Sequence, residues 1–347
     1  MEPGVIPAWV ADMDLPTAPA VTEALARRTA GDLGYPAWLL DPSAGPLAEA
    51  FAERMSARHG WDPDPTHVRP FNDLNQALQV LLQIGTRPGD GVALHVPAYP
   101  PFLTTLKVMD RRLHPISLEP DGDTWRFEVP DLSGCRVLLL VNPHNPTGRV
   151  FTRAELTALA ECAERHDLLV IADEIHADLV YAPHHHIPFA TILPDRTVTL
   201  TSATKAFNLG GIRCSVAHLG HAGVRAALEA QPPFVYGSPS VFGVEATVAA
   251  WRHGDAWLAE TLALLDRNRR TIAARLPETF GYRLPEATYL AWLEAGRPGM
   301  AEVIEREARV RLNDGAGFGP GGEHYVRLNF ATTEAILAEI LTRLTVL

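Results

Sequence analysis

Three short runs, 137–141, 168–172 and 196–200, do most to limit what this chain can fold into. The first two are apolar along their whole length rather than alternating, the pattern of strands buried on both faces. Helical patterns separate such runs. Thr152 and Glu155 form a capping box at the head of a helix carrying Leu156, Leu159 and Ala163. Upstream, Leu74, Leu78, Leu81 and Leu82 share one face of a helix over 73–84, with Asn72 or Asp73 as its cap and Gly85 and Pro88 at its end. A strand near 92–96 follows, and Pro97-Ala-Tyr-Pro-Pro101 can continue neither element. The alternation predicts an α/β fold whose mostly parallel sheet is covered by helices on both faces.

From about residue 240 the texture changes. Leu258, Leu262, Leu265, Ile272 and Leu276 keep one face of a long helix suited to joining two domains, and short strands and helices follow, including 326–330. The expected division is a large domain over 35–250 and a smaller α+β domain from 1–34 and 251–347.

Composition excludes several classes. With 47% apolar and 20% charged residues the chain can bury a large core and is not disordered. A net charge of −11 without a basic stripe argues against nucleic acid as a partner. No apolar stretch is long enough for a membrane span, and the N-terminus lacks a signal-peptide pattern. Cys135, Cys162 and Cys214, scattered and odd in number, make no disulfide framework and fit a reducing cytoplasm.

Ligands of open α/β sheets sit outside the carboxyl ends of the strands, and here those ends deliver Asn145, Asp173 and Lys205 to one crevice. Ser202 stands just before Lys205 and Arg213 shortly after it. A Schiff-base lysine needs a desolvated pocket and an anionic cofactor held by hydroxyl, guanidinium and backbone N–H groups. A carboxylate at 173 would keep a pyridine nitrogen protonated, so that the ring acts as an electron sink. Asn145 can donate to a phenolic oxygen. Together these residues describe a pyridoxal 5′-phosphate site. His184, His185 and His186 invite a metal reading, but consecutive residues cannot share one face, and none is expected. Cys214 reads as a small buried filler.

The motifs Asn142-Pro-His-Asn-Pro-Thr-Gly148, Ala172-Asp-Glu-Ile-His-Ala-Asp178, Thr201-Ser-Ala-Thr-Lys-Ala-Phe-Asn208 and Arg327-Leu-Asn329 resemble those of class I/II aminotransferase-fold enzymes, the fold type I family. Within it, Trp9-Val-Ala-Asp-Met-Asp14, Gly34-Tyr35, Pro97-Ala-Tyr-Pro-Pro101, Asp173-Glu-Ile-His176 and Pro239-Ser240 resemble the MalY/PatB-like cystathionine β-lyases. The likeness spans nearly the whole chain. It implies that Lys205 binds the cofactor covalently and shuttles protons, that Asp173 pairs with the ring nitrogen, and that Tyr99 stacks on the ring. Asn145 would contact the phenolic oxygen, and His176 occupies a ring-contacting position that carries tyrosine in many aminotransferases. Ser202, Arg213 and the helix start at Leu74 and Asn75 would hold the phosphate. Arg327 would grip the substrate carboxylate, a bidentate role that suits arginine, and Tyr35 would reach in from the other subunit of a homodimer. Tyr99 could instead be a plain turn aromatic, and Arg327 a structural ion-pair residue.

Two departures stand out. The usual Gly-Val-Val-like phosphate turn is replaced by Phe71-Asn-Asp-Leu-Asn75, where Asp73 would repel a phosphate unless its carboxylate turns away to cap the helix. The N-terminal segment, which often helps close the site, is also shorter than is usual in the family. The implied activity is C–S β-lysis of a cystathionine-like L-cysteine S-conjugate to thiol, pyruvate and ammonia. An aminotransferase, a decarboxylating oxidative deaminase of a cysteine conjugate, and a binding module on this scaffold are the alternatives.

Overall fold

The computed structural model describes residues 4–39, 45–232 and 235–347; the first three residues of the N-terminal stretch read for a signal peptide lie outside them. Seven strands form the central sheet: β1 (Val68–Phe71), β2 (Gly91–Val96), β3 (Arg112–Ser117), β4 (Cys135–Val141), β5 (Leu169–Asp173), β6 (Thr197–Thr201) and β7 (Ser215–Leu219). Their spatial order is β1-β7-β6-β5-β4-β2-β3. The run from β6 to β3 is parallel, while β7 is antiparallel to both β6 and β1.

Alternate residues of the parallel strands enter two cores. Val137, Leu139, Val141, Leu169 and Ile171 pack on one side with Leu74, Leu78 and Leu81 of helix α1 (Leu74–Gly85). Leu138, Leu140, Val170 and Ala172 pack on the other side with Leu156, Leu159 and Ala163 of helix α3 (Arg153–Arg165). Helix α2 (Pro100–Val108) covers the first face through Phe102 and Leu106. Fully burying each such side chain contributes about 1.5–3 kcal/mol, which fixes the strands and with them the loops at their ends. The Thr152–Glu155 capping box starts α3, and Asp73 caps α1.

A second, antiparallel sheet comprises β8 (Gly281–Tyr282), β9 (Leu290–Glu294), β10 (Asn313–Asp314) and β11 (Tyr325–Asn329), in the order β8-β9-β11-β10. The long helix α4 (Asp255–Arg275) buries Leu258, Leu265 and Ile272 in the same core as Val326, Leu328 and Phe330. Leu262 of the expected stripe is only half-buried, and Leu276 lies just past the helix end. The N-terminal segment divides: Ile6–Pro7 pairs in parallel with Val310–Arg311, whereas the helix Pro19–Thr29 packs against the helix Val241–His253. No described helix is long and apolar enough to cross a membrane.

Candidate active site

Each polar group at the carboxyl edge of the sheet is placed by the end of an element. Asp173 is the last residue of β5, so the strand that buries Val170–Ala172 also fixes the carboxylate. Lys205 stands in the turn after β6, Asn145 in the loop after β4, and Tyr99 just before α2. Leu74 and Asn75 open α1. These residues, with His176, Ser202 and Arg213, line one pocket. Arg327, on β11 of the second sheet, joins it from behind: its Nη1 donates to Asn145 Oδ1 at 3.1 Å. Tyr35 is not brought there; it is 94% exposed, in an outer groove with Leu33, Trp38 and Val241.

Burial sets the electrostatics. It drives the Asp173 carboxyl up to about 7, against the hydrogen bond that its Oδ1 accepts from the Ile175 N–H at 3.1 Å. Burial also depresses the Lys205 amine; the Arg327 charge adds to this, while Asp12 and Asp173 oppose it. Lys205 Nζ donates to the Ala11 carbonyl at 3.0 Å. His176 is held neutral, its pKa pushed down to about 3 by burial and by the charges of Lys205 and Arg327.

Arg327 is 3% exposed, and burial lowers its guanidinium to about 10. Its Nη2 donates to the Trp9 carbonyl at 3.1 Å, and the group lies 5.0 Å over the Phe318 ring. Among the described residues its partners are neutral, so the expected alternative of a structural ion pair does not describe it.

At the phosphate end Ser202 Oγ donates to the Cys214 carbonyl at 2.6 Å and accepts from the Thr204 N–H at 3.1 Å. Asp73 Oδ1 accepts the Gln76 N–H at 2.9 Å, the capping role expected of it. Its carboxylate has not turned away, however: Oδ2 pairs with Arg213 Nη2. The local reason is that an N-cap side chain must face the first turn, which also faces Arg213.

The histidines at 184–186 have separate fates. His186 Nε2 lies 3.0 Å from Glu174 Oε2 in the interior, and His184 lies 3.8 Å from Glu286. Among the described residues no three metal-ligating side chains gather. Cys214 is buried, its thiol raised to about 11 by that burial.

The strap at 9–14 also closes over the pocket, though its residues carry no catalytic signal of their own in the sequence. Ala11 lines the pocket and receives Lys205, and Tyr289 Oη donates to the same carbonyl at 2.9 Å. Asn208 clamps Met13 by both its amide atoms, and Asn329 Nδ2 donates to the Val10 carbonyl at 2.6 Å. Nothing local marks such a strap, since all its partners are distant in sequence.

Three buried polar atoms around this pocket, Asn75 Oδ1, His176 Nδ1 and Arg327 Nε, have no protein partner. Buried polar groups left so cost about 1–3 kcal/mol each, so the site is built for a polar ligand. An acid for a ring nitrogen, an amine for an aldehyde, and an arginine with a helix start for a phosphate fit pyridoxal 5′-phosphate.

The family model for class I and II aminotransferases matches residues 10–344. Cystathionine beta-lyase PatB of Bacillus subtilis is 33% identical over 363 residues, covering 98% of this chain and 91% of that protein. The crystal structure of OvoB superposes with a TM-score of 0.92 at 32% identity, covering 99% of this chain and 92% of that one. That of cystalysin from Treponema denticola, which contains a pyridoxal 5′-phosphate cofactor, gives 0.91 at 27% identity, covering 99% and 91%. The chain belongs to the class I and II aminotransferase family.

Proposed function

We propose that this protein is a pyridoxal 5′-phosphate-dependent C–S β-lyase acting on an L-cysteine S-conjugate of the cystathionine type. The observation that carries this reading is the meeting of Asp173 and Lys205, delivered by the neighbouring parallel strands β5 and β6, in one buried pocket. Relatives named cystathionine beta-lyase support the choice of reaction.

When bound, the cofactor supplies an electron sink for charge developing at Cα. The protein's part is binding, orientation and proton movement. Lys205 is the covalent anchor, and its amine, made less basic by burial, is suited to take the Cα proton onto Nζ. Asp173, buried at the end of β5, would pair as a carboxylate with the ring nitrogen and so favour that nitrogen's protonated form. Arg327 takes the α-carboxylate by exchanging the neutral acceptors Asn145 and Trp9 for a charged, bidentate one. Tyr99, lining the pocket with Asn75, offers an aromatic face, and His176 a neutral imidazole. Ser202, Arg213 and the start of α1 at Leu74 and Asn75 receive the phosphate. Overall, the conjugate and one water give a thiol, pyruvate and ammonia.

The exposed Tyr35 and the apolar groove around it fit a homodimer in which each copy lends this tyrosine to the other's site. The lobe over 35–250 then carries the cofactor seat, and 1–34 with 251–347 carries Arg327. Three free cysteines fit a cytoplasmic setting.

The test is to incubate the purified enzyme with cystathionine and other S-substituted cysteines and assay the products. Thiol and pyruvate in equal amounts are expected, and Lys205→Ala should abolish both turnover and the visible absorption band of the bound cofactor. Stoichiometric oxo acid with the cofactor left as its amine would make the enzyme an aminotransferase. An aldehyde with carbon dioxide would make it a decarboxylating deaminase. A colourless protein indifferent to the cofactor would overturn the reading.

A further inference from the structure

We propose that Asp73 is a positioning residue that weakens the hold on the cofactor's phosphate, so that the cofactor is retained through Lys205 rather than through its anionic end. This rests on the reading of the pocket as a pyridoxal 5′-phosphate site. The donors at that end are the first-turn N–H groups of α1 and the Arg213 guanidinium, beside the Ser202 hydroxyl, whose proton goes to the Cys214 carbonyl. Asp73 engages two of them. Its Oδ1 takes the Gln76 N–H at 2.9 Å, and its Oδ2 takes Arg213.

The carboxylate is not free to leave. Releasing Gln76 would uncap α1, and Gln76 in turn reaches back to accept the Asn72 N–H at 3.0 Å while its Nε2 donates to the Tyr236 carbonyl. Asp73 itself lines the pocket beside Leu74 and Asn75. A phosphate arriving at Arg213 therefore meets a fixed negative charge and an arginine already paired. Capping alone does not require that charge, since serine or asparagine caps a helix as well as aspartate does.

The consequence bears on which reaction the site favours. A lyase returns its cofactor to the lysine-bound state at each turnover. An aminotransferase must keep the free amine form of the cofactor, held without a covalent bond, through half of its cycle. A seat with a built-in carboxylate suits the first and penalises the second.

The experiment measures the dissociation constants of pyridoxamine 5′-phosphate, inorganic phosphate and pyridoxal for the apoenzyme and for Asp73→Asn, which keeps a capping oxygen but loses the charge. Asp73→Ser is the second variant should the first not fold. Removing one charge a few ångströms from a phosphate should tighten pyridoxamine 5′-phosphate and inorganic phosphate by about tenfold or more. Pyridoxal, which lacks the phosphate, should bind unchanged. Equal or weaker binding of the phosphate-bearing probes to the variant would overturn the proposal, as would an equal gain for pyridoxal, which would show a general change of the pocket. Failure of the wild-type protein to bind pyridoxal 5′-phosphate at all is a different result: it would remove the cofactor reading itself.

Discussion

Arg327 is held by two neutral oxygens and an aromatic face instead of by a carboxylate, and this leaves its charge available in a place where water does not screen it. Burial disfavours the lone cation, which is why its pKa falls to about 10, still far above neutrality. A substrate carboxylate relieves that cost, so the binding energy is concentrated on amino acids with a free α-carboxyl. Arg327→Lys keeps the charge but loses the planar fork, and we expect KM for the amino acid to rise by about tenfold to a hundredfold, a loss of roughly 1.4–2.7 kcal/mol. The visible band of the cofactor should stay in place, because Arg327 is not among its anchors. Steady-state kinetics and an absorption spectrum of the same preparation check this, and an unchanged KM would remove Arg327 from substrate binding.

The loop between β4 and α3 shows how an element transmits order to the site. Asn142 Oδ1 accepts the Phe151 N–H at 3.0 Å, and the Gly148 carbonyl accepts the N–H groups of Glu286 and Ala287 at 3.0 and 2.9 Å, tying the loop to the chain leading into β9. Gly148 has φ +72°, and a Cβ there would overlap Pro285. Gly148→Ala combines a left-handed backbone with a steric conflict and should lower the unfolding free energy by about 2 kcal/mol or more. Activity should fall with it, since Asn145 stands in the same loop; denaturant melts of the two proteins give the comparison. The loop also shows what a sequence can reveal. The capping box at Thr152 and Glu155 is legible because its chemistry lies within four residues, and β4 and β5 are legible because strands buried on both faces are apolar throughout. The placement of Asn145, Asp173 and Lys205 at one edge followed from those strands. The Asp73–Arg213 pair spans 140 residues and the strap at 9–14 closes on Lys205 from the far end of the chain, so no local pattern encodes either. Tyr35 lies outside the pocket, in a groove with Leu33, Trp38 and Val241, and nothing in its short Gly34-Tyr35 motif specifies that placement.

For the whole molecule, the cores on both sides of the central sheet contain more than hydrocarbon. His95, His144 and His176 are buried with pKa values pushed to about 3, and His218 to about 4, in each case chiefly by burial. A histidine whose folded pKa lies below its unfolded value near 6.5 binds its proton first in the unfolded chain. Its effect is therefore absent above pH 6.5 and becomes increasingly destabilising as the pH falls toward the folded value, by up to about 1.4 kcal/mol per pH unit for each. Asp173 acts in the opposite sense. Its folded pKa near 7 lets the folded state take up a proton that the unfolded carboxyl does not bind until near 3.8, which cancels about one histidine over this range. The buried Asp178 is silent there. Burial would raise it, but the His59 imidazole 3.6 Å away and the charges of Arg54 and Arg58 hold it at about 2, so the stability it adds is present above its unfolded pKa near 3.8 and is lost only below that, as the pH falls through about 2. The apoprotein should therefore be most stable near or above neutrality and lose several kcal/mol between pH 6.5 and 4.5, with a net uptake of about three protons on unfolding at the lower end. Urea denaturation at half-unit pH steps measures this, and His95→Gln should make the slope shallower by one proton even if it lowers stability at pH 7. A flat profile from pH 7 to 4.5 would show that these histidines are not neutral in the folded interior.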